Sequence, residues 1–305
     1  MAKILLTGGA GYIGSELVYH LAQHPQVEKI VIYDNLSNAN YNLFIGLRKI
    51  PNPQKIELIK ADILDGRNLK KALQDIDIVY HLAAFVNTPF SDNNSHSFEQ
   101  INNWGTAQVV DAVEQSDVKK FVFASSVSVY GSSENKVSEN TPLNPKTYYG
   151  ISKMRAEEHV QRLIGKKETY IVRLGNVYGY SKNIRIHSVI NKMMFDANFH
   201  NRIKINGSGN QKRAFIYMKN ATKILSAFVE NHYDKLIFNA VDNNYSINEL
   251  VMVLKEIYPS LEMLYINQHL PMRSIEVEPS NDFENLNLQS DFKQNLIHYK
   301  EMFTF

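Results

Sequence analysis

Short apolar runs alternate with helix-periodic segments through the first 175 residues of the chain. Lys3 to Leu6, Ile30 to Tyr33, Lys55 to Lys60, Ile76 to His81, Lys120 to Ala124 and Thr169 to Arg173 read as strands. Ser15 to Ala22, Arg67 to Gln74, Phe98 to Gln115 and Tyr148 to Ile164 read as helices. Strands alternating with helices imply parallel pairing with helices on both faces, a doubly wound Rossmann α/β sheet. After Gly175 the rhythm loosens. Ile184 to Phe195, Ala221 to Glu230 and Ile247 to Ile257 predict helices joined by polar loops. The tail beyond residue 278 is polar and weakly periodic until the apolar end Met302-Phe303-Thr304-Phe305. The expected organisation is a Rossmann domain over 1–175 and a smaller C-terminal α/β lobe over 176–305, with an approximate boundary across which the chain can return.

The first strand breaks at Thr7-Gly8-Gly9-Ala10-Gly11-Tyr12-Ile13-Gly14 and resumes at once as a helix. Such a turn binds a pyrophosphate: the helix N-terminus offers unpaired N–H groups and the positive end of its dipole. Glycines at 8, 11 and 14 remove the Cβ atoms that would keep a dinucleotide away. Asp34 stands twenty residues past Gly14, at the end of the second apolar run, where a carboxylate accepts hydrogen bonds from an adenosine ribose. Its charge repels a 2′-phosphate, and no arginine follows in Asn35-Leu36-Ser37, so NAD is expected over NADP.

The bulk numbers exclude more than they assign. Net charge is +2, from 33 Lys+Arg against 31 Asp+Glu, without a charge block, so neither nucleic acid nor a membrane is expected as partner. The absence of cysteine rules out disulfides, thiolate metal sites and cysteine nucleophiles; no metal is expected. The N-terminal apolar run is too short for a signal peptide, and no stretch approaches the ~18 apolar residues of a membrane span, so a cytoplasmic protein is expected.

Two further signatures carry chemistry. Phe121-Val122-Phe123-Ala124-Ser125-Ser126 is an apolar strand delivering serines at its C-terminal end. Tyr149-Gly150-Ile151-Ser152-Lys153 places a tyrosine and a lysine four apart, on one helix face. A lysine cation near a phenol, with a nicotinamide cation close by, lowers the phenol pKa toward neutrality. A phenol so tuned passes a proton to or from a sugar hydroxyl. In this reading Lys153 also holds the nicotinamide ribose, and Ser126 hydrogen-bonds the reacting substrate oxygen.

These motifs in this order resemble the extended short-chain dehydrogenase/reductases, specifically the NAD-dependent sugar-nucleotide epimerase/dehydratase group. Also matching are Asp62-Ile63, His81-Leu82-Ala83-Ala84, Asn102 with Gly105-Thr106, Arg173 to Gly179, and Arg213-Ala214-Phe215-Ile216. The resemblance implies that Gly8, Gly11, Tyr12, Ile13, Gly14, Asp34, Asn35 and Ser37 hold NAD. It implies that Asp62 and Ile63 flank the adenine, Asp62 accepting from its amino group, and that His81, Leu82, Ala83 and Ala84 line the cofactor beyond the fourth strand. Asn102 becomes a structural residue of the central helix. Asn176, Arg213 and, on a poorer local match, Arg273 become substrate residues, the arginines pairing with the diphosphate of a nucleoside-diphosphate sugar. The helices holding Ile101, Val109, Val113, Met154 and Val160 are implied to form a homodimer interface.

The implied activity is 4-epimerisation: oxidation at C4 to a transient 4-keto sugar, rotation, and return of hydride to the other face. A 4-ketoreductase using external NAD(P)H is the alternative, and a non-catalytic dinucleotide-binding module an alternative of another class. The group's 4,6-dehydratases carry Thr-Asp-Glu where this chain has Ser126-Val127-Ser128, which argues against dehydration. Other departures are Met218-Lys219-Asn220, where an aspartate is usual, and Tyr180, where a proline is common.

Overall fold

In the computed structural model, which describes residues 1–305 apart from 87–93, 268, 270, 271 and 290, the apolar runs become strands covered on both faces. The first part of the chain gives β1 (Ala2–Thr7), α1 (Tyr12–Ala22), β2 (Val27–Asp34), β3 (Ile56–Lys60), α2 (Gly66–Ala72), β4 (Ile78–His81), α3 (Gly105–Glu114), β5 (Lys120–Ser126), α4 (Tyr148–Gln161) and β6 (Glu168–Leu174). Then follow β7 (Asn176–Tyr178), α5 (Val189–His200), β8 (Arg202–Asn206), β9 (Lys212–Tyr217), α6 (Met218–Ala227), β10 (Ile237–Ala240), β11 (Asn243–Ser246), α7 (Ile247–Ile257), β12 (Glu262–Ile266) and α8 (Phe292–Lys300).

The large sheet has seven parallel strands in the order β10-β6-β5-β4-β1-β2-β3. This is the Rossmann α/β fold expected from the alternation. Chain order reverses between β1 and β4, so a crevice opens beyond their C-terminal ends, the usual ligand position in such sheets. Neighbouring residues of β1 serve opposite layers. Ile4 and Leu6 pack with Leu17, Val18 and Leu225 on the α1–α6 side. Leu5 packs with Val109, Val113, Phe121 and Val160 on the α3–α4 side. Each such side chain contributes roughly 1.5–3 kcal/mol by leaving water. Val109, Val113 and Val160 are therefore core residues of their own chain, not an outer apolar stripe. Large exposed apolar side chains here are Trp104, just before α3, and Tyr148 at the start of α4.

The structure differs from the predicted elements in three places. The helix expected at Ile184 begins only at Val189, because Ser188 is extended. Asn191 Nδ2 donates to Arg185 O at 3.0 Å and fixes 185–188 as a loop. The helix expected over Phe98 to Gln115 is wound as a π-helix from Phe98 to Trp104 before α3 begins. Asn102 is turned inward there, accepting from Phe85 N at 2.7 Å and donating to Phe85 O and Ser152 Oγ at 3.0 Å. Finally, the polar tail contains α8, whose Phe292, Leu296 and Tyr299 enter a core with Tyr178, Met194, Phe215 and Leu250.

Two small sheets, β11-β9-β7 and β12-β8, complete the second part of the chain. The chain returns to the large sheet through β10, which pairs with β6, and through α6, which packs on α1. Among the described residues no helix is long and apolar enough to cross a membrane.

Candidate active site

The glycine turn joins β1 to α1, and its three glycines meet different demands. Gly8 has φ +71°, and a Cβ there would lie 2.6 Å from Ala83 N. At Gly14 a Cβ would lie 2.4 Å from Gly8 O, so only glycine lets the helix pack onto the turn. At Gly11 a Cβ would meet nothing closer than Gly8 O at 3.2 Å. A Cβ there needs a shift of only a few tenths of an ångström, so the protein itself demands glycine less at 11 than at 8 or 14, and the absent side chain leaves room for a pyrophosphate. Gly11 is also the N-cap of α1 and supplies no side-chain acceptor, which leaves first-turn N–H groups at the helix's positive end. The turn therefore fits NAD.

Asp34 ends β2 with both oxygens engaged. Oδ2 accepts from Ala10 N at 3.0 Å and Oδ1 from Leu36 N at 2.9 Å. Burial pushes this carboxyl up, and the two N–H groups pull it back. Beside it Asn35 Nδ2 donates to Asp62 Oδ2 at 2.8 Å, and Asn35 Oδ1 accepts from Ser37 N at 3.0 Å. The residues expected at the adenosine end are thus brought together. Three neighbours also have contacts within the protein. Ile63 is buried where a Cβ on Gly105 would come within 2.6 Å of its Cδ1, so its side chain packs on α3. Ala83 is partly buried against the core, and Leu82 and Ala84 line the cleft. His81 is fully buried, its Nδ1 2.6 Å from Thr7 Oγ1 and its Nε2 2.9 Å from Thr106 Oγ1.

The cleft, about 450 Å³, runs from Tyr12 and Ile13 past Ser126, Tyr149 and Lys153 to Arg213 and Arg273. β5 carries Ser126 to its rim. Thr147 starts α4 by accepting from Gly150 N at 2.9 Å, which puts Tyr149 in the first turn and Lys153 one turn on. Tyr149 lies near Ser126, whose Oγ donates to Ser128 Oγ at 3.1 Å. Enclosure pushes the phenol above its ordinary range, opposed by the nearby Arg185 guanidinium and by Ser126. The lowered phenol expected from Lys153 is therefore not the state of the protein alone. Lys153 Nζ donates to Ala124 O at 2.7 Å and lies 4.5 Å from the centre of the Phe123 ring. Burial draws this ammonium down to about 7, and Glu157 works in the opposite direction.

Behind the lysine stands a buried ion pair that the motifs did not include. Glu157 Oε2 accepts from Arg173 Nη2 at 2.7 Å, and Glu157 Oε1 accepts from Arg173 Nε at 3.0 Å and from Ser125 Oγ at 2.5 Å. A signal was available: Glu157 is four residues past Lys153 on the same helix face, and Arg173 is the one charge in the apolar run Tyr170 to Leu174.

At the far end, Arg213 Nη1 donates to Arg273 O, and burial followed by the Arg273 charge holds Arg213 below its ordinary range. Two adjacent guanidinium groups suit a diphosphate. Asn176 lines the cleft, and its Nδ2 donates to Ala214 O at 2.9 Å. Arg185 and Lys146 also line the cleft, and among its described lining residues there is no Asp or Glu.

Comparison with known proteins agrees with this arrangement. A family model described as the NAD dependent epimerase/dehydratase family matches residues 4–240. The chain is 34% identical over 259 residues, 83% of its own length and 81% of the other, to a putative UDP-glucose 4-epimerase of Methanocaldococcus jannaschii. It is 28% identical over 323 residues to dTDP-D-glucose 4,6-dehydratase of Homo sapiens, covering 99% of this chain and 91% of that protein. Among solved structures, a UDP-N-acetylglucosamine 4-epimerase from Methanobrevibacter ruminantium M1, in complex with UDP-N-acetylmuramic acid, superposes with a TM-score of 0.83 at 26% identity over 98% of this chain and 97% of that one.

Proposed function

Since the chain belongs to the NAD-dependent epimerase/dehydratase family, we propose that it is a nucleoside-diphosphate-sugar 4-epimerase. The chemistry NAD supplies when bound is reversible acceptance of a hydride from sugar C4. Gly11 and the first turn of α1 would hold its pyrophosphate, and Asp34 its adenosine ribose. Tyr149 takes the proton of the O4 hydroxyl as C4 is oxidised and returns it as C4 is reduced, so the pair of half-reactions leaves no net redox change. Ser126 shares that oxygen and orients it. Lys153 holds the nicotinamide ribose and adds positive charge near the phenol. Arg213 and Arg273 grip the diphosphate, Asn176 helps position the sugar, and the 4-keto sugar turns about the gripped end.

One observation carries the choice of reaction. Ser126, Tyr149 and Lys153 line one cleft that has no carboxyl group among its described lining residues, with Val127 and Ser128 at the positions where the resemblance puts a dehydratase's acid pair. Elimination of water across C5–C6 needs that pair; epimerisation does not.

A panel of nucleoside-diphosphate sugars, incubated with catalytic NAD and followed by NMR, tests the proposal. Interconversion of two C4 epimers is expected. Stoichiometric NAD(P)H consumption would identify a ketoreductase, a 4-keto-6-deoxy product a dehydratase, and no turnover with NAD bound a binding module.

A further inference from the structure

Lys153 is a cation with little solvent. The groups around it come from several elements. His81 of β4 faces it and is neutral, pushed far down by burial. Phe123 and Ala124 of β5 offer a ring face and a carbonyl. Tyr149 lies one turn back on α4, itself adjacent to Arg185 and Ser126. The negative charge that acts on the ammonium is Glu157, one turn forward on the same helix. Arg173 of β6 stands behind that carboxylate.

The carboxylate is also held with unusual completeness. One oxygen accepts from Ser125 Oγ and Arg173 Nε, the other from Arg173 Nη2. The guanidinium is fixed in turn: Nη1 donates to Tyr130 OH at 2.8 Å, and Tyr130 OH donates to Asn239 Oδ1 at 2.8 Å. Glu157 and Arg173 are 1% and 2% exposed. A buried pair of this kind is poor evidence for stability, because desolvation offsets the attraction. Its geometry suggests another use. Ser125 is the residue before Ser126, and Glu157 lies on the helix that carries Tyr149 and Lys153. A single carboxylate therefore ties the strand bearing one reacting side chain to the helix bearing the other two.

We propose that Glu157 is a positioning residue for catalysis, clamped between Ser125 and Arg173 so that it sets α4 against the end of β5 and provides the negative charge against which the buried Lys153 ammonium is held. The inference rests on the reading of Tyr149 and Lys153 as the proton-handling pair, and it reaches the reaction only through them.

The test is the titration of Lys153 in cofactor-free protein labelled with 13C-lysine, its resonance identified by its loss in Lys153→Met. In Glu157→Gln the midpoint should fall by about one pH unit or more. The alkaline limb of kcat should move down with it while KM for the sugar nucleotide holds, a combination that loosened packing alone would not give. An unchanged midpoint in folded Glu157→Gln protein overturns the proposal. A lowered midpoint in a protein that turns over no sugar nucleotide sinks the epimerase reading and its catalytic use of Glu157, and leaves standing the hold of Glu157 on Lys153. If Glu157→Gln does not fold, Glu157→Asp decides: it keeps the charge but withdraws it from Ser125 and Arg173, and kcat should drop about 10- to 100-fold, whereas wild-type kcat overturns the proposal.

Discussion

Lys153 Nζ donates to Ala124 O at 2.7 Å, so the ammonium is anchored to the last turn of the strand that delivers Ser126. The lysine is thereby set in place before any ligand arrives, and Tyr149 is left as the group whose protonation has to change. In Tyr149→Phe the ring remains and the proton carrier is lost. Turnover should fall by about 10²- to 10⁴-fold, with NAD affinity within a few-fold of wild type. Steady-state rates together with a fluorescence titration of NAD check both halves; a Phe variant with a near-normal rate removes Tyr149 from proton transfer.

The three glycines of the turn should separate folding from cofactor binding. Gly8→Ala and Gly14→Ala place a Cβ 2.6 Å from Ala83 N and 2.4 Å from Gly8 O, and both should lower the melting temperature clearly. Gly11→Ala meets only Gly8 O at 3.2 Å and should melt close to wild type while losing most of its NAD affinity. Calorimetry with and without NAD distinguishes them, since only ligand that binds the folded state raises the transition.

Asp34→Asn keeps an acceptor for one of the two backbone N–H groups and removes the charge. NAD binding should weaken by roughly 1.5–3 kcal/mol, the usual worth of hydrogen bonds to a charged group, and discrimination against NADP should relax. Dissociation constants for both dinucleotides measure this. A ratio equal to wild type takes Asp34 off the ribose.

His81 predicts an acid sensitivity. Its ordinary value is 6.5, and burial, with Lys153 adding to it, brings it down to about 3. Between those limits the unfolded chain binds the extra proton and the folded protein does not, so stability falls as pH drops from about 6.5 toward 3. His81→Asn, which retains polar atoms between Thr7 and Thr106, should flatten that part of the profile. Urea midpoints at several pH values read it, and an identical slope in the variant would place the acid sensitivity elsewhere.

Legibility in the sequence followed locality. The glycine turn, Asp34 and the Tyr149–Lys153 spacing are short-range patterns, and each appears in its expected place. The Rossmann sheet followed from strands buried on both faces, which leave continuous apolar runs. What sequence reading missed depends on partners far along the chain. Asn102 winds its helix wide by bonding Phe85, and α8 shows its apolar face only because Tyr178 and Phe215 receive it. The strands of the small sheets are short and half-polar, so alternation alone did not mark them. Arg185 became visible only when the loop before α5 brought it to Tyr149.

Because β10 hydrogen-bonds along β6, residues 237–240 supply the outermost strand of a sheet otherwise made by the first 174. A fragment cut after Gly175 would leave the β6 edge bare, with its backbone donors and acceptors open to pairing with other molecules. Neither half should survive expression alone as a well-behaved soluble piece. Co-expressed halves, by contrast, should reassemble, with the second contributing that missing border.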